Sequence, residues 1–115
     1  MYGINQTLCV YTKSINYKKE YNNALNIALN TTIQGYIAGQ EGMRIRPNRN
    51  HVLSNNSFKK LIIVGEKDPV LDFKKAKEEA RNTNSEIVIL PKGHMSHIEN
   101  KDELIDVLTK FVKKS

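Results

Sequence analysis

The 115-residue chain lacks a second cysteine, a long apolar run, a repeat and any low-complexity tract. Cys9 alone cannot close an internal disulfide, so nothing points to an oxidising compartment, and its thiol reads as a small buried apolar group. No apolar stretch approaches the roughly 20 residues of a membrane helix. The opening MYGINQTLCVYTKSINYKK has no contiguous apolar segment of a secretory signal. A cytoplasmic location with no membrane contact is therefore expected. At 39% apolar and 26% charged residues, the composition is that of an ordinary globular domain rather than a disordered chain. At this length there is room for one modest core, burying about two thirds of the unfolded surface.

The formal net charge of +6 raises the question of nucleic acid. The lysines come in ones and twos along the chain, as at Lys18, Lys19, Lys59, Lys60, Lys74 and Lys75, and are interrupted by Glu78, Glu79, Asp102 and Glu103. No aromatic residues alternate with a basic stripe, as single-strand binding requires, so no nucleic-acid partner is expected. The densest cationic spot is RIRPNR, where Arg44, Arg46 and Arg49 flank Pro47. An anion could bind there, but a hinge loop tied down by arginine hydrogen bonds is the favoured reading.

Residues 1–15 show no clear period. From Tyr17, the stripe positions recur at Tyr21, Ala24, Leu25, Ala28, Leu29, Thr32, Ile33, Tyr36 and Ile37, as in an amphipathic helix or two helices broken near Asn30. Gly35, Gly39 and Gly42 weaken its far end and Pro47 closes it. After the turn signal SNNSF, Leu61 to Val64 form a non-alternating apolar run ended by Gly65, as expected of a strand covered on both faces. Val70, Phe73, Ala76 and Ala80 predict a helix over residues 70–82, and EIVIL a second strand over 86–90. Leu104, Ile105, Leu108, Phe111 and Val112 predict a last helix, with Asn100 and Glu103 placed as the ends of a capping box.

Strand, helix, strand, helix implies an α/β class with two parallel strands joined by a crossover helix. Chemistry in such sheets collects beyond the carboxyl ends of the strands. There, GEKDP puts Asp68 four residues past Val64, and PKGH puts His94 four residues past Leu90. Neighbouring strands lie about 4.8 Å apart, so loops of equal length can bring a carboxylate to an imidazole. That pair is the orienting half of a catalytic triad: the acid fixes the tautomer and the ring carries the proton. Taken alone, Asp68 before Pro69 also fits a helix N-cap, although Asp72 can cap the same helix and leave Asp68 free. His97 reads as structural or surface, His51 sits in a polar loop, and His94, His97 and Glu99 match no strong metal-ligand spacing.

The stretch from LIIVGEKDPV through IVILPKGHMSHIENKDELIDVLTKFV resembles the carboxyl-terminal third of the α/β-hydrolase fold superfamily. In that family a Gly-x-x-Asp turn ends one strand and a Gly-His turn the next. The resemblance implies that Asp68 matches the triad acid and His94 the triad base. ALNIALNTTIQGYIAGQEGMRIRPNR is similar to the helical cap-to-core segment of lipase- and esterase-like members. The expected organisation is thus a helical cap-like segment and hinge over residues 1–50, then a partial α/β-hydrolase core over 51–115.

The family's G-x-S-x-G elbow, which carries the nucleophile, is missing, because no glycines pair around Ser14, Ser54, Ser57, Ser85 or Ser96. Two strands apolar on both faces also leave unpaired edges. The expectation is a carboxyl-terminal piece of a longer hydrolase acting on an ester or similar acyl bond, inert alone and using no cofactor or metal. Its substrate is a small ester-like molecule once the missing part is supplied, and a complementing chain or oligomer covers the strand edges. The competing expectation is a non-catalytic remnant or small interaction protein of the same partial fold.

Overall fold

A computed structural model describes residues 17–114. The unassigned residues 1–15 and the buried-thiol reading of Cys9 lie outside the described residues. Among these the chain divides into two compact units, residues 17–49 and residues 50–114.

The first unit holds helices α1 (Lys18–Asn30) and α2 (Ile33–Ile45). Tyr21, Ala24, Leu25 and Ala28 of the expected stripe are half-buried. The break falls one residue past Asn30, at Thr31 and Thr32. Both take extended dihedrals, and the Thr32 hydroxyl caps α2 by accepting from the Gly35 N–H at 3.0 Å. The helix runs through all three glycines. It stops where Arg46 turns extended ahead of Pro47. Arg44 does not tie a hinge: its guanidinium folds back within the helix onto Glu41, at 2.9 Å and highly exposed, a pair worth about 0–1 kcal/mol.

The second unit contains α3 (Asn50–Ser54), β1 (Leu61–Gly65), α4 (Phe73–Asn82), β2 (Glu86–Leu90), the short α5 (Ser96–Glu99) and α6 (Lys101–Lys113). β1 and β2 pair in parallel with Leu61 opposite Glu86 and Gly65 opposite Leu90, a register that ends both strands level. α4 packs against both strands and α6 against β2. The core is thin. Val64, Ala80 and Leu90 are its buried apolar side chains among the described residues. At the amino ends of the strands, the Lys60 ammonium donates to the carbonyls of Leu53 at 2.6 Å and Thr83 at 2.7 Å, tying the end of α3 to the turn before β2. Asn84 in that turn adopts φ 51°, a conformation asparagine tolerates better than most residues.

Two sequence expectations change in detail. α4 begins at Phe73 rather than residue 70, because Pro69 to Leu71 form a separate turn and Asp72 takes the N-cap, accepting from the Lys74 N–H at 2.9 Å. The capping box at the start of α6 does not form. Asn100 stands at the N-cap position, but its side-chain oxygen accepts from the Lys92 N–H at 3.2 Å, across to the loop after β2.

Gly65 is required by close approach. A β-carbon there would run into the Gly93 carbonyl oxygen and lie 2.5 Å from that of Lys92, both backbone atoms with no freedom to swing aside. Gly65→Ala is therefore expected to lower the urea midpoint by an amount worth about 1–3 kcal/mol. Gly39→Ala, whose added methyl meets nothing within 4 Å on an exposed helix face, is expected to stabilise α2 by about 0.5–1 kcal/mol in far-UV circular dichroism melts.

Candidate active site

Because the strands end level, the two loops leave the sheet side by side and continue its hydrogen bonding. The Glu66 N–H donates to the Leu90 carbonyl at 2.7 Å and the Lys67 N–H to the Lys92 carbonyl at 3.0 Å. Asp68 follows directly. Its N–H closes back on the Gly65 carbonyl at 3.2 Å, and its carboxylate is split between two tasks. Oδ1 accepts from the N–H groups of Val70 at 2.7 Å and Leu71 at 3.0 Å, the turn that proline opens. Oδ2 lies 2.7 Å from His94 Nδ1.

The structure thus brings Asp68 and His94 together. Asp68 is not the N-cap of α4, a place Asp72 takes; it closes the preceding turn with one oxygen and meets the ring with the other. Its side chain is 3% exposed, whereas the His94 side chain keeps 33% of its surface open. An ionised carboxylate only accepts, so in the neutral ring Nδ1 carries the proton and Nε2 is left with a lone pair. This is the tautomer a general base needs.

An apolar cleft of about 680 Å³ runs along β1 to Asp68, lined in part by Ile62, Val64, Val70 and Phe73. His51 on α3 and His97 on α5 are exposed and outside this constellation. Among the described residues, no group of three or more His, Cys, Asp or Glu side chains is arranged to hold a metal ion.

Two residues that sequence reasoning placed elsewhere belong to the site's frame. Glu99, considered only as a metal ligand, is 7% exposed and accepts from the Met95 N–H at 3.0 Å. Asn100, considered only as a cap, is 1% exposed, and its Nδ2 has no hydrogen-bond partner. A buried unpaired donor costs about 1–3 kcal/mol. The only sequence signal for either was a polar pair, Glu-Asn, inside an otherwise helix-forming run.

No family model, no curated protein and no solved structure matches the chain. No helix among the described residues is long and apolar enough to cross a membrane.

Asp68→Asn tests the division of labour within the carboxylate. The amide oxygen is expected to stay with the two N–H donors of Val70 and Leu71, which turns the NH₂ towards His94. Nδ1 must then accept, and the ring proton moves to Nε2. ¹⁵N NMR of the imidazole is expected to report that switch, at a stability loss of about 1.5–3 kcal/mol. An unchanged tautomer would contradict the assignment.

Proposed function

We propose that Asp68 and His94 are the orienting acid and general base of an acyl hydrolase of the α/β-hydrolase type, and that the nucleophile comes from a segment other than these 115 residues. The reading is carried by one observation, the 2.7 Å contact of Asp68 Oδ2 with His94 Nδ1 beyond the level ends of two parallel strands. The sequence supports it by the order and spacing of the Asp and His turns.

In the proposed reaction, His94 Nε2 takes the proton of the nucleophile's hydroxyl as its oxygen attacks the acyl carbon. The imidazolium, stabilised by Asp68, returns that proton to the departing alcohol. Water then repeats the sequence on the acyl intermediate and releases the acid. The apolar cleft beside Asp68 borders the β1 edge, where an added strand would pair.

A complementing chain also accounts for surface left open. Among the described residues β1 pairs on one side only, and on α6 Ile105 (53% exposed) and Val112 (69%) form, with Leu108, an exposed apolar stripe. Both are what an added strand and its flanking helix would cover.

Alone, the chain is expected to hydrolyse a p-nitrophenyl acetate ester no faster than an equal concentration of free imidazole, since neither nucleophile nor oxyanion donors are supplied. Joined to a segment bearing a G-x-S-x-G elbow, it is expected to turn the ester over at a rate that His94→Ala lowers by at least about a hundredfold. Full turnover in His94→Ala would refute the role given to His94.

A further inference from the structure

We infer that Glu99 is the positioning residue for His94: its carboxyl group braces the turn on both sides of the histidine and so holds Nδ1 against Asp68. The inference rests on His94 acting as the base, but its test reads the ring itself rather than hydrolysis.

His94 sits on an irregular turn, residues 91–95, with no strand or helix of its own to fix it. Met95, immediately after it, is held at both backbone groups by the same residue. Its N–H donates to Glu99 Oε2 at 3.0 Å, and its carbonyl accepts from the Glu99 N–H at 2.9 Å. Immediately before it, Gly93 is pressed against the same carboxyl group, since a β-carbon on Gly93 would stand 2.8 Å from Oε2 and 3.0 Å from Oε1. One residue earlier, the Lys92 N–H is taken by Asn100 and its carbonyl by Lys67. The backbone flanking His94 is therefore pinned from residue 92 to residue 95, with Glu99 touching both immediate neighbours.

The consequence is geometric. The contact between Nδ1 and Oδ2 stands at 2.7 Å, and a hydrogen bond of this kind is lost once the atoms separate by about 1 Å more. Asp68 is already fixed by Val70 and Leu71, so the ring is the partner that has to be held. Through these contacts Glu99 acts on the turn that carries the ring. At 7% exposure its carboxyl group is committed to this packing rather than to solvent.

The test measures, by ¹⁵N NMR of the full chain at a pH where the ring is neutral, the share of His94 with its proton on Nδ1. Glu99→Gln keeps an acceptor for the Met95 N–H and is expected to retain the single Nδ1–H tautomer. Glu99→Asp withdraws the acceptor by one methylene, and Gly93→Ala pushes the carboxyl away from the opposite side. Both are expected to release the ring into a mixture with substantial Nε2–H. Ala80→Gly, which weakens the core far along the chain, is expected to lower the urea midpoint without moving the tautomer.

A single Nδ1–H tautomer in Glu99→Asp or Gly93→Ala, each folded by circular dichroism, overturns the inference. So does a mixture in Glu99→Gln equal to that in Glu99→Asp, or loss of the fold in all the Glu99 and Gly93 variants, which would make Glu99 a stability residue alone. Failure of the hydrolase reading shows instead as absent turnover with the tautomer pattern intact.

Discussion

The arrangement depends on two parallel strands ending level and on their loops staying joined beyond the last ladder residue. With Gly65 opposite Leu90, the bonds from Glu66 to Leu90 and from Lys67 to Lys92 extend the pairing into the loops. The loops can approach this closely because Gly65 has no side chain where the backbone of residues 92 and 93 passes. Asp68 and His94 then emerge at matching distances from the sheet. Shifting one strand by a residue would separate them and turn every strand side chain to the opposite face.

Apolar burial around this edge is slight, so the site is built mostly from directed polar contacts. Among the described residues the buried apolar side chains Val64, Ala80 and Leu90 are accompanied by the buried polar residues Thr83, Glu99 and Asn100. Thr83 completes its bonding with the Glu79 carbonyl and the Ser85 hydroxyl, both at 2.7 Å. Asn100 does not, and its unpaired Nδ2 is a stability cost retained beside the turn that carries His94. Polar networks in thin cores fix geometry more than they add stability. That is the property an acid-base pair requires.

Much of this was legible from residue order. The continuous apolar runs gave both strands nearly to the residue, because a strand with both faces destined for cover has no need to alternate. The equal spacing of Asp68 and His94 from their strands gave their meeting, since parallel strands carry equal loops to the same place. Other features depend on contacts that no local pattern records. Asn100 was drawn from the helix it precedes to Lys92 by a loop eight residues back. Asp68 and Pro69 spent three residues on a turn before α4 began at Phe73. The role of Glu99 appears only once α5 folds its carboxyl under Gly93 and Met95. The apolar face of α6 likewise split: Leu104, Val107 and Phe111 are half-buried, whereas Ile105, Leu108 and Val112 are exposed, because helical periodicity marks an apolar face without saying what covers it.

The most direct measurement is a double-mutant cycle on Asp68→Ala and His94→Ala, read by urea unfolding. Loss of the Val70 and Leu71 contacts is common to the single and double Asp68 variants and cancels, leaving the term between carboxylate and ring. The account predicts a favourable coupling of at least about 0.5 kcal/mol, as residues in contact show. Strictly additive losses would contradict it, because they would mean that the two side chains fold into place independently.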